Sequence, residues 1–414
     1  MTVTTKGHPA SQGSLVYLRD QEPLTTQEHA AAVECCRRIQ HLTQTREQWI
    51  TAVGKDRSIH LPQANWDLSR SVLHLAYRVV AGGDYPVLNN LRLFSHNFTG
   101  FMLSKLEKGP NPPVTAVPEN LDADLARFEG SRCPWGTWHR NICKALPSSY
   151  RLSPPPRFGE IGWRIGDAIV SYDTCVYLER LALLSAGNVV QRLARSHSRP
   201  RILEIGSGYG GLAYYIKKLL PQARYHCLDI PESLLFASIY LGTLFPGDND
   251  IVSQDTLGTL AKDSAGFTFV PNYFCDELVK TGQKFDLVIN TLSMSEMSAA
   301  QVGYYADAIV KLIADRGVFF EQNQDNTHLG FEDAKSILAA RLPWVLLPLP
   351  KFHISQGEAH LWAGQRVAGF DWRPSSELPV LQRELRRQQL RMQQPSIIHR
   401  GVRWFRERYR RLVG

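Results

Sequence analysis

Leu203-Glu204-Ile205-Gly206-Ser207-Gly208-Tyr209-Gly210-Gly211 decides the fold of this 414-residue chain. The apolar run Arg201–Ile205 that leads into it reads as a strand, and Tyr209–Leu220 after it reads as a helix. Between them, glycines let the backbone turn sharply and come close to a ligand. About 20 residues further on, Asp229 ends the next strand-like run, where a carboxylate can hold two ribose hydroxyls.

Outward from this loop the same grammar repeats. Tyr225–Leu228 is followed by Glu232–Leu244, Phe285–Asn290 by Ser298–Ile313, and Val318–Glu321 by Glu332–Leu342, with Phe267–Val270 as a further apolar run. Strands that alternate with helices imply a parallel sheet covered on both faces. The end differs. Trp344–Leu349 and His360–Val367 are strand-like runs with a gap too short for a helical crossover, so they read as an antiparallel pair closing the sheet.

Two cofactor classes compete for the loop, because Gly206, Gly208 and Gly211 also satisfy the dinucleotide pattern G-x-G-x-x-G. Glu204 opposes a dinucleotide. A carboxylate just before the loop would repel a pyrophosphate but can meet the cationic aminoacyl end of S-adenosylmethionine. The reversed terminal strand points the same way. The expected fold is an α/β, Rossmann-like class I methyltransferase sheet, parallel with a terminal antiparallel strand, preceded by a mainly helical N-terminal domain. The cofactor set read from the sequence is Glu204, Gly206, Ser207, Gly208, Tyr209, Gly210, Asp229, Ile230, Asn290 and Tyr172.

Three further stretches carry candidate chemistry. Asn290-Thr291-Leu292-Ser293-Met294-Ser295-Glu296-Met297 follows a strand whose carboxyl end should face the ligand. Here Glu296 is a candidate base, against the alternative that Glu296 and Ser298 only cap the next helix. Glu321-Gln322-Asn323-Gln324-Asp325-Asn326-Thr327-His328 reads either as a sugar-binding rim or as a solvated loop. His328 has an unperturbed pKa suited to general-base work, with His353 and His360 as competitors. Glu321, Asp325 and His328 do not have diagnostic metal-ligand spacing, and no metal is expected. Ile169–Leu184 reads as a helix leading into the sheet domain, on which Tyr172 serves either as a lid or as a docking contact.

Leu203–Ala213, Asp229–Leu234, Asn290–Met297, Gly317–Asn323 and Tyr172–Arg180 together resemble a bacterial family of sugar O-methyltransferases, with a weaker likeness at Asn90-Leu91-Arg92 and Phe98-Thr99-Gly100. The resemblance spans roughly residues 85–370. It implies S-adenosylmethionine as cofactor and a saccharide hydroxyl as acceptor, in a nucleotide sugar or a polysaccharide unit. The alternatives are a methyltransferase of a small natural product or peptide, and a catalytically silent methyltransferase fold that binds a partner.

The rest of the chain bounds these readings. Four segments are expected: a loose stretch 1–24, a helical lid domain 25–190, the cofactor domain 191–374 and a basic helical tail 375–414. The net charge of +8 is accounted for by residues 378–414, where ten arginines face two glutamates, so the body need not bind polyanions. Trp404, Phe405 and Tyr409 lie among the tail arginines, a pattern that reads either as a solvated helix packing on the body or as a segment for an anionic membrane surface or a docking partner; no specific nucleic acid is expected. No run suits a membrane span, and Met1–Arg19 lacks a signal-like apolar core. Seven cysteines without a C-x-x-C pair argue against a disulfide framework or a zinc site. The expected location is the cytoplasm, either free or peripheral to the inner face of the membrane. The oligomeric state is not legible.

Overall fold

The computed structural model describes residues 15–17, 22–62, 85–95, 131–195, 199–261, 266–349 and 357–364, with single positions 79, 83 and 126. Phe98-Thr99-Gly100, His353 and the basic tail lie outside the described residues.

The chain enters through β1 (Leu15–Tyr17) and a 27-residue helix, α1 (Thr26–Ala52). A capping box starts α1: Thr25 accepts from the Glu28 amide, and Glu28 accepts from the Thr25 amide. The short helices α2 (Arg57–His60), α3 (Leu91–Ser95) and α4 (Gly136–Ala145) follow. β2 (Ile161–Ile165) then pairs antiparallel with both β1 and β3 (Ala168–Val170), forming a three-stranded sheet. The helix expected from Ile169 therefore starts later. Ile169 and Val170 belong to β3, and Ser171 caps α5 (Tyr172–Ala186) through a reciprocal bond with Thr174. α6 (Val189–Arg195) completes this half.

The main sheet is built from β4 (Arg201–Ile205), β5 (Arg224–Asp229), β6 (Asp250–Ile251), β7 (Phe267–Pro271), β8 (Phe285–Thr291), β9 (Ile313–Asn323), β10 (Trp344–Pro348) and β11 (Glu358–Gly364). Its helices are α7 (Gly211–Leu219), α8 (Pro231–Leu244), α9 (Cys275–Lys280), α10 (Ala299–Leu312) and α11 (Ala334–Arg341). The strand order is β10-β11-β9-β8-β4-β5-β7-β6. β4 through β9 pair in parallel, while β11 runs antiparallel to both β9 and β10. This is the class I methyltransferase sheet, as the sequence led one to expect. One detail differs: the reversed strand β11 is inserted between β9 and β10, so β10 forms the edge and runs with the parallel set.

Order reverses about β4, whose neighbours are β5 on one side and β8 on the other. That arrangement opens a crevice beyond the carboxyl ends of these strands. The N-terminal segment is packed over it. Residues Pro231 to Leu241 of α8 are all buried, which requires cover on both sides of the helix, and α1 supplies the outer cover. Arg46 of α1 reaches Glu232 at 3.0 Å in a buried pair, and Lys55 Nζ lies 2.9 Å from Asp276 and 2.8 Å from Glu277. One continuous core results, from Leu24 to Ala363. Among the described residues no helix is long and apolar enough to cross a membrane.

Candidate cofactor and acceptor site

The crevice holds a cavity of about 280 Å³ whose walls come from the ends of β4, β5 and β8 and from one face of α5. β4 delivers Glu204 into it, and the glycine turn follows. Gly206, Gly208 and Gly210 all have positive φ (78°, 57° and 87°), a region L side chains rarely adopt. At Gly206 the constraint is doubled. A Cβ there would lie 2.1 Å from Ser293 Oγ and 2.5 Å from Ser293 Cβ.

Glu204 is 2% exposed and accepts a hydrogen bond from the Tyr225 hydroxyl at 2.7 Å. Burial pushes its pKa up to about 8, outweighing the Tyr225 bond and the nearby Arg180 charge. Asp229 closes the loop from the other side. Its carboxylate accepts from the Gly208 amide at 2.8 Å and from the Ile230 amide at 2.7 Å, and burial lifts its pKa to about 7. Glu204, Gly206, Ser207, Gly208, Asp229 and Ile230 all line the cavity.

Tyr172 lines it as well, with its ring 5.1 Å from Trp135 and 5.6 Å from Trp138. The other three expected contacts sit behind the wall. Asn290 is fully buried and fixes the turn Ser293–Glu296 by donating to Ile205 O at 2.9 Å and to Ser293 Oγ at 2.6 Å. Tyr209 is buried beneath the loop, its ring covered by the Arg92 guanidinium at 3.7 Å. Gly210 faces Leu241.

The two candidate bases separate. Glu296 lines the cavity at the end of its turn. Leu292, which opens that turn, has φ of +66°, a strained value for a branched residue at the cavity wall. His328 is exposed on the turn Thr327–Leu329 and does not line the cavity. The physical reason is local: the wall follows this loop only to Gln324, after which the Asp325 carboxylate accepts from the Thr327 amide at 3.0 Å and from its hydroxyl at 2.7 Å, turning the chain outward. Its competitor His360 is buried on β11, with Nδ1 2.6 Å from Glu321 Oε1. Glu321, Asp325 and His328 are thus not gathered, and among the described residues no group of three or more such side chains could hold a metal ion.

A second charged layer escaped the sequence reading. Arg92 is 1% exposed and bonds Glu160 at 3.1 Å and Asp173 at 2.8 Å. Burial raises the Asp173 pKa to about 7, and Asp173 lines the cavity. On α5, Asp173, Val176, Tyr177 and Arg180 share that wall, the i, i+3, i+4, i+7 spacing of one helix face. This spacing was the signal available in the sequence. What hid it is that all fifteen residues of α5 are buried, so no polar stripe marks an inner face.

The residues present fit S-adenosylmethionine: a carboxyl group for an ammonium, an amide-held carboxylate for a ribose edge, and a glycine turn that admits close approach. No protein-family model matches the chain, and no curated protein does either. Solved structures with similar folds include a precorrin-6y C5,15-methyltransferase from Geobacter metallireducens (16% identity, 43% of this chain and 87% of that one, TM-score 0.26). A magnesium protoporphyrin IX methyltransferase from Synechocystis is similar at 13% identity over 48% of this chain and 87% of its own, TM-score 0.30. A fibrillarin pre-rRNA processing protein from Methanococcus jannaschii is similar at 10% identity over 40% and 68%, TM-score 0.29. Likeness at this level bears on the fold alone and adds nothing to what the strand order states.

Proposed function

We propose that this chain is an S-adenosylmethionine-dependent O-methyltransferase acting on a sugar hydroxyl. The observation that carries the cofactor part is the convergence of Glu204, the glycine turn and Asp229 on one cavity at the strand-order reversal. When bound, the cofactor supplies a methyl group on a sulfonium, open to direct displacement by an oxygen nucleophile. The protein's part is to place the acceptor hydroxyl in line and keep water out, the source of much of the acceleration in such reactions.

Glu296 is the carboxylate read as the base that also lines the cavity, and it receives the hydroxyl proton. The sugar acceptor is supported by the family resemblance and by the hydrogen-bonding character of Ser295, Glu296 and Gln324 along the wall. In this reading residues 191–374 bind the cofactor and residues 25–190 cover it. The arginine-rich tail, outside the described residues, holds the enzyme at an anionic membrane surface.

The test is methyl transfer from labelled cofactor to a panel of sugar nucleotides and glycans, read by mass spectrometry. Replacement of Glu296 by Gln is expected to cut turnover by a factor on the order of 10² with cofactor affinity nearly unchanged. Full activity of that variant removes Glu296 from the role. Cofactor binding without transfer to any saccharide removes the sugar.

A further inference from the structure

Arg180 carries a charge that no ion pair among the described residues matches, its guanidinium standing 5.7 Å from the centroid of the Tyr177 ring. Its side chain is buried on α5, the residue being 5% exposed, and it lines the cavity. Nε donates to Gln322 Oε1 at 3.2 Å, and the same Gln322 amide donates to Glu179 Oε1 at 3.2 Å, so β9 fixes the orientation of the guanidinium. Nη1 and Nη2 have no hydrogen-bond partner among the described residues, yet neither is sealed from the cavity.

The neighbouring carboxyl groups are engaged elsewhere. Glu179 accepts from the Trp138 indole at 3.0 Å, Asp173 from Arg92, and Glu204 from Tyr225. None of them lies within ion-pair distance of Arg180. A guanidinium cannot shed its proton to escape burial, and a buried, unpaired charge is expensive. Such a group, held by its Nε with the bidentate fork open, is a site for a planar anion.

We propose that Arg180 is the carboxylate anchor of the cofactor site: its open Nη1/Nη2 fork takes the α-carboxylate of the S-adenosylmethionine aminoacyl arm while Glu204 takes the α-ammonium. This rests on the cofactor reading above and assigns a residue that the glycine-loop motif does not include. The two side chains line the same cavity, one from α5 and the other from β4, and each acts on the other electrostatically. The carboxylate of the zwitterion then faces the Arg180 guanidinium and its ammonium faces the Glu204 carboxyl group, so each of its charges meets a group of the opposite kind.

Calorimetry with S-adenosylhomocysteine and with its decarboxylated analogue tests this. The unmodified protein is expected to bind the parent compound about 100-fold more tightly than the analogue, the order of loss when one partner of a buried, hydrogen-bonded charge pair is removed. Arg180→Met is expected to weaken the parent by a similar factor and the analogue hardly at all, and Arg180→Lys to fall between. Equal affinity of the unmodified protein for the two probes overturns the proposal while leaving the cofactor reading intact. So does an Arg180→Met variant that weakens both probes alike. Binding of neither probe overturns both. If Arg180→Met does not fold, the discrimination shown by the unmodified protein decides.

Discussion

Asp229→Ala is expected to lower affinity for S-adenosylhomocysteine by about 100-fold or more, since two hydrogen bonds to a charged group at about 1.5–3 kcal/mol each are at stake. The carboxylate is half-buried at the end of β5 and is already oriented by the Gly208 and Ile230 amides. It therefore brings little ordering cost to a ribose edge. Asp229→Asn keeps one acceptor oxygen and is expected to lose less. Calorimetry on both variants, with near-ultraviolet circular dichroism as a check on folding, measures the difference. Normal affinity in a folded Asp229→Ala protein removes the ribose assignment.

Gly206→Ala is expected to be at least as damaging, for a steric reason. Its φ of +78° costs a residue with Cβ about 1–2 kcal/mol, and the new methyl would stand 2.1 Å from Ser293 Oγ. Ser293 cannot simply turn aside, because Asn290 holds it and its own Cβ would lie only 2.5 Å away. The turn carrying Glu296 must move, so cofactor binding and turnover fall together. Adding Ser293→Gly removes the collision but not the backbone strain. The double variant is expected to recover part of the binding, and identical losses in single and double variants contradict the account.

Much of the sheet was legible because its physics is local. Arg201–Ile205 is bounded in the structure as it is in the sequence, and Gly206, Ser207, Gly208 and Asp229 line one cavity. β9 ran longer than its apolar centre, since Ile313 pairs with Phe285 before an irregularity restores the register at Val318. Three things were not legible. α8 reads as an apolar helix of the sheet domain, yet nothing local says that α1, two hundred residues earlier, covers its outer face. The Arg92, Glu160 and Asp173 cluster joins residues up to 81 positions apart. And His328 had suitable chemistry but lies past the point where an Asp325-centred turn leaves the cavity. Residue type and strand-end position identify candidates; the route of the loop decides which of them reach the site.

In the function proposed above, this cavity accepts the aminoacyl and ribose ends of S-adenosylmethionine through Glu204 and Asp229. Glu204 has its pKa raised to about 8 by burial, so it is mostly protonated at neutral pH and must ionise when an ammonium arrives. The sign follows: binding releases a proton, so affinity rises as pH increases toward 8, by up to about tenfold per pH unit. A calorimetric titration of the unmodified protein with S-adenosylmethionine at pH 7, repeated in two buffers of different ionisation enthalpy, measures this directly. One site per chain with release of about one proton is the expected result. Absence of binding, or binding with no proton exchanged, contradicts the account.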